Sequence, residues 1–145
     1  MKIVFFHDNI ITKVDHFLYC SGGLNNRIIS RYLKHSSDFS LSTRNNFLSN
    51  VDNLTFVEST KKIKYIPLPN LASLNPIRYK KAYDVIRTLI DQNDFVIVRL
   101  PSIIGLMAIY ISKKRNKKYL IEMVGCPRDS YSLHSLKGKL VSIPF

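Results

Sequence analysis

The sequence predicts a doubly wound α/β domain: a mainly parallel sheet with helices on both faces. Three observations predict it. Phe95-Val96-Ile97-Val98 and Tyr119-Leu120-Ile121 are short, unbroken apolar runs, and a strand of that kind is buried on both faces, as in a parallel sheet covered by helices. A helical segment separates the two runs, and each ends in polar residues followed by Pro or Gly. The order along the chain reads strand, helix, strand, strands, helix, strand, helix, strand, which is that of a doubly wound domain.

Lys2 to Phe6 reads as the first strand, and His7 to Ser21 as a long loop delivering Gly22-Gly23. From Leu24 to about His35 the spacing predicts a helix with Leu24, Ile28 and Tyr32 on one face. Phe39-Ser40-Leu41-Ser42-Thr43 alternates with period two and predicts a strand. Leu54 to Val57 is a candidate short strand. Lys62-Ile63-Lys64-Tyr65-Ile66-Pro67 alternates basic and apolar residues, an edge strand stopped by Pro67 and Pro69. Asn75-Pro76 is a helix start, cap then first position, and the helix turns Ile77, Ala82, Val85, Ile86, Leu89 and Ile90 inward. Phe95 to Arg99 is a central strand. Ser102 to Arg115 is a buried helix whose Gly105 permits close approach to the sheet, and Tyr119 to Val124 is the last strand. The residues after Asp129 complete no recognisable element, so the chain is expected to end within or beside something larger.

At 145 residues the chain is one domain, and 46% hydrophobic with 22% charged residues is ordinary for a folded protein. The longest apolar stretch, Ile103 to Ile111, is far short of the roughly 20 residues a bilayer requires. The N-terminus turns polar at His7, too soon for a signal peptide, so a cytoplasmic location is expected. Cys20 and Cys126 are then reduced thiols, and no Cys/His spacing resembles a metal site. The net charge of +12 points to nucleic acid or an anionic membrane face, or to a solvated surface with no specific partner. The run Lys113-Lys114-Arg115-Asn116-Lys117-Lys118 is expected at the amino edge of the sheet, and with Arg78, Lys80, Lys81 and Arg87 it suits anionic lipid on the inner face of a cell membrane.

In open sheets of this class, ligands bind beyond the carboxyl ends of the strands. That rule selects Arg99, Ser102, Glu122, Gly125, Arg128 and Asp129, with His7-Asp8 at the end of the first strand. A charged residue ending a buried strand must reach solvent, a carboxylate or an anionic ligand, so Arg99 either pairs with Glu122 or binds a ligand. Ser102 either caps the next helix or lines the cleft, and Asp129 either caps or orients a hydroxyl. Ser21-Gly22-Gly23 either brings backbone N–H groups to a phosphate or forms a tight turn with caps and positive φ.

Lys2 to Phe6, Gly22-Gly23-Leu24-Asn25-Asn26-Arg27, Val98-Arg99-Leu100-Pro101-Ser102 with Gly105, and Glu122-Met123-Val124-Gly125-Cys126-Pro127-Arg128-Asp129 together resemble the N-terminal half of a bacterial GT-B glycosyltransferase of family four, of the kind that builds capsular or other surface polysaccharides. The resemblance covers nearly the whole chain. It implies a Rossmann-like acceptor-side domain over residues 1–145, facing a C-terminal donor-binding domain that this chain lacks. It implies sugar transfer from a nucleotide-sugar to a hydroxyl of a saccharide or lipid-linked acceptor, with no bound metal and no cofactor besides the nucleotide-sugar co-substrate. Gly22 and Gly23 would approach the donor phosphate or sugar. His7, Arg99, Ser102, Glu122, Gly125 and Arg128 would shape the acceptor cleft, and Asp129 would stand in as the catalytic group. The isolated chain is then expected to be inactive unless joined by its C-terminal domain or a separate donor-binding subunit. The rivals are a basic nucleic-acid-binding α/β module and a non-catalytic adaptor.

Overall fold

A computed structural model of the chain describes residues 1–45, 53–71 and 75–125. Among them, seven strands form one mixed sheet with helices against both faces. The strands are β1 (Lys2–Val14), β2 (Phe17–Cys20), β3 (Asp38–Asn45), β4 (Thr55–Ser59), β5 (Lys64–Leu68), β6 (Phe95–Leu100) and β7 (Lys118–Met123). The helices are α1 (Asn26–Leu33), α2 (Pro76–Gln92) and α3 (Ile103–Lys114). β5, β3, β1, β6 and β7 lie side by side in that order, each parallel to its neighbours. β2 and β4 extend the sheet by antiparallel pairing with the far end of β1 and with each other.

Alternation along β1 builds two cores. Ile3 and Phe5 join Phe39, Leu41 and Ile97 beneath Ile29 of α1, and Tyr32 of α1 stacks on Phe39 with ring centroids 6.5 Å apart. Val4 and Phe6 join Val96 and Val98 beneath Ala82, Ile86, Ile104 and Ala108 of α2 and α3. The reading of an unbroken apolar run as a strand covered twice holds for β6. It is corrected for β7, an edge strand paired only with β6, whose Leu120 and Ile121 are 46% and 41% exposed.

The expected loop from His7 to Ser21 is a strand and a hairpin. β1 shifts register against β3 between Phe6 and Ile10 and then runs on to Val14. Asp15, with φ 50°, turns the chain into β2. The polar triple His7-Asp8-Asn9 imitates a loop locally, but Ile11, Leu18 and Cys20 are buried against Val57 of β4, a contact invisible to local pattern.

α1 begins two residues later than expected. Asn25 is its cap, accepting from the Ile28 N–H at 3.1 Å, and Leu24 is buried ahead of it. Asn75 caps α2 with Pro76 next, as expected, accepting from the N–H groups of Ile77 and Arg78. Ala82, Ile86, Leu89 and Ile90 are buried, but Ile77 is 78% exposed. At 3.6 residues per turn, Ile77 lies about 180° around the helix from Ile86. Gly105 does sit tight on the sheet: a Cβ there would lie 2.8 Å from Val98 Cγ1 and 2.9 Å from Leu100 Cδ2. No helix among the described residues is long and apolar enough to cross a membrane.

Candidate functional site

Parallel register brings the strand ends to one rim. Phe6 of β1 pairs with Val98 of β6, so His7 follows beside Arg99, and Arg99 pairs directly with Glu122 of β7. Val124, past the end of β7, donates its N–H to the Leu100 carbonyl at 2.9 Å, which keeps exposed Gly125 on the same rim. Arg44, near the end of β3, donates from Nε to the Asp8 carbonyl at 2.6 Å.

Arg99 and Glu122 point to the α1 face. Arg99 Nε lies 3.3 Å from Glu122 Oε2, an ion pair whose atoms are not aligned as a hydrogen bond. Arg31 of α1 closes on the other carboxylate oxygen, Nη2 to Oε1 at 3.0 Å. The Tyr32 phenol is held above its ordinary pKa by burial, then by the Glu122 charge and by hydrogen bonding to Glu122. One carboxylate thus gathers two guanidiniums and a phenol from α1, β6 and β7.

His7 is buried, and burial, Arg99 and Arg44, in that order, push its pKa down to about 4. Its Nδ1 accepts the Asp8 N–H at 2.8 Å, so the neutral ring carries its proton on Nε2. Asp8 turns to the other side of the rim, accepting from the Ile103 N–H at 2.6 Å and the Ile104 N–H at 3.2 Å. Burial raises its pKa in spite of those bonds to the start of α3 and the charge of Arg44.

These shifts predict a pH dependence. Folded His7 takes no proton between 6.5 and about 4 while the unfolded chain does, so stability is lost as pH falls through that window, by up to about 3 kcal/mol. Asp8 has the opposite sign: its raised pKa gives stability at low pH that is lost as pH rises from its unfolded value toward its folded one. His7→Gln should therefore flatten the fall in Tm between pH 6.5 and pH 4; an unchanged slope would contradict the burial argument.

Ser102, expected as cap or cleft residue, is a cap. Its hydroxyl accepts the Gly105 N–H at 2.8 Å and it is buried. Gly22 and Gly23 are exposed ahead of the Asn25 cap, and neither has a positive φ. The expected role for Ser21 as cap and for the glycines as left-handed turn residues is thus corrected. Gly22 instead lies against Asn9, where a Cβ would come within 3.0 Å of Oδ1, and its N–H reaches Cys20 Sγ at 3.2 Å; Gly23 faces open space. Arg128 and Asp129 lie outside the described residues, as does Cys126.

Three residues of the rim escape the sequence reading. Arg44 ends a predicted strand, and the rule that selected Arg99 selects it too. Arg31 and Tyr32 carry no signal of their own, because their partner Glu122 is about ninety residues away. At the amino edge the basic run is partly committed: Arg115 pairs with Asp91 at 3.3 Å, and Lys117 Nζ donates to the Asn93 carbonyl at 2.8 Å. Arg78, Lys80 and Lys81 begin α2 near the carboxyl rim, so the two basic groups lie at opposite ends of the α2–α3 layer.

No family model matches the chain. It is 32% identical over 149 residues to Protein CapJ of Staphylococcus aureus, a match covering 99% of this chain and 37% of that protein. The chain therefore spans little more than a third of that relative's length. Among solved structures, the C-terminal domain of a Pyrococcus furiosus hydrogenase superposes with a TM-score of 0.41 at 11% identity, over 83% of this chain and 90% of that one.

Proposed function

We propose that the chain is the acceptor-side, Rossmann-like domain of a GT-B glycosyltransferase that moves a sugar from a nucleotide-sugar to a hydroxyl acceptor during capsular or other surface polysaccharide synthesis. One observation carries the reading: His7, Arg99 and Glu122 converge on the carboxyl rim of a parallel array ordered β5–β3–β1–β6–β7. That order, with helices on both faces, is the one doubly wound nucleotide-binding sheets use, and its rim is where their ligands sit. The relative's name, CapJ, points to capsule assembly, and the family-four resemblance points to sugar transfer.

In such a transfer the acceptor oxygen bonds to the anomeric carbon, the bond from that carbon to the donor phosphate breaks, and the hydroxyl proton passes to a base. His7 presents an N–H on its free side, and the Glu122 carboxylate is taken up by Arg31 and Arg99. Both are therefore assigned to orienting the acceptor. Asp129 keeps the proposed role of base. The exposed Gly22-Gly23 backbone, carrying no side chain toward solvent, faces the donor phosphate across the cleft. A peripheral position on an anionic inner membrane face would bring in a lipid-linked acceptor.

The test is a panel of nucleotide-sugars offered to the full-length protein with saccharide and lipid-linked acceptors, following nucleoside diphosphate release. One donor should turn over, and only with acceptor present. The 145-residue chain alone should release none; unaided transfer by it would contradict this division of labour. Steeply salt-dependent binding to DNA or RNA without any sugar transfer would favour the nucleic-acid module instead.

A further inference from the structure

Arg99 is 7% exposed, yet its guanidinium is under-paired. Nη1 is buried with no hydrogen-bond partner among the described residues, and Nε meets Glu122 only as a misaligned ion pair. Arg31 holds Oε1 of Glu122, and Oε2, the oxygen facing Arg99, makes no aligned hydrogen bond either. The positive groups about this corner are Arg31, Arg44 and Arg99. The negative ones are Glu122 and Asp8, and the Asp8 carboxylate is engaged with the start of α3. Positive charge is left in excess. Buried donors without partners are rare in folded proteins because each forfeits the hydrogen bonds it had in water. The Nε2–H of His7 adds a neutral donor beside Arg99. Arg31 also lines an open cavity of about 340 Å³ with Asn25, Arg27 and Ile28, whereas Arg99 and His7 do not line it.

We infer that Arg99, with the His7 imidazole beside it, forms an oxyanion subsite that takes a phosphate or carboxylate group carried by one of the sugar substrates. A guanidinium offers paired donors to two oxygens of one anion, which a hydroxyl cannot match. The inference rests on the rim being the sugar-transfer cleft, and it adds that one substrate is anionic at this point.

The full chain is titrated with sodium phosphate and, separately, with sodium glucuronate, each against sodium chloride at equal ionic strength, reading heat of binding and Tm. At least one anion should bind saturably, and Arg99→Met should weaken it roughly ten- to hundredfold. Glu122→Gln removes the competing carboxylate, so it should bind the anion more tightly than the parent and gain more Tm from it. A response to phosphate alone assigns the subsite to a phosphorylated group; a response to glucuronate alone assigns it to an acidic sugar. If Arg99→Met does not fold, the comparison of Glu122→Gln with the parent decides. Equal Tm in anion and chloride for both, or binding untouched by Arg99→Met, would overturn the subsite. Sugar transfer is read from nucleotide release, so either failure leaves that reading standing.

Discussion

Replacing Glu122 by alanine is expected to lower the free energy of unfolding by about 3–5 kcal/mol, measured by urea titration. The figure follows from what the substitution strands. Arg99 has 9% of its side chain exposed and ends a strand covered on both faces, so without Glu122 its charge is buried with no counter-ion among the described residues. The reverse change is milder. Arg99→Met puts an apolar side chain of similar length at the end of an apolar strand, and Glu122 keeps Arg31 at 3.0 Å. Its cost should be well below that of Glu122→Ala, because removing a buried ion by an apolar isostere can be close to neutral. Equal losses for the two variants would mean that the pair is held by packing and that its charges are already solvated.

Gly105→Val should cost about 3 kcal/mol or more. The Cβ alone would sit 2.8 Å from Val98 Cγ1, 2.9 Å from Leu100 Cδ2 and 3.1 Å from Ser102 Cβ, and valine adds two methyls beyond it. Overpacking a core by a methylene or two typically costs about 1–3 kcal/mol. Gly105→Ala recovers about 1 kcal/mol of helix propensity, so alanine should fall closer to the parent than valine. The strain would fall on β6 between Val98 and Leu100, the two residues that flank Arg99. A Gly105→Val protein as stable as the parent would show that α3 can lift from the sheet at little cost.

Much of the parallel core was legible because its signals are local. β6 and β7 announce themselves as apolar runs, Asn75-Pro76 marks the start of α2, and Ser102 marks the start of α3. The Arg99–Glu122 pair followed from two strand ends being neighbours. What failed was non-local. β1 continues through His7-Asp8-Asn9 only because β2 and β4 bury its far half, and β4 lies some forty residues downstream. Glu58, which no local pattern singles out, is buried, held by Asn26 Nδ2 at 3.0 Å and by its own neighbour's N–H. Arg31 gives no local sign of its ion pair with Glu122, and Ser102, open in the sequence between cap and cleft, is a cap. Glycines suggested positive φ at Gly22 and Gly23, whereas neither has it, and at Gly22 a Cβ would only press on the end of the Asn9 side chain.

We propose that the carboxyl rim, and not another face, is half of a sugar-transfer crevice. The most direct test is nucleotide release by the full-length protein from its preferred donor, comparing Arg99→Met and His7→Phe with Lys64→Ala, which lines a shallow pocket at the opposite edge with Lys2 and Asp38. At least a tenfold loss of kcat/KM for acceptor is expected in both rim variants while they remain folded, with parental activity for Lys64→Ala. Rim variants that fold and transfer sugar like the parent would contradict it.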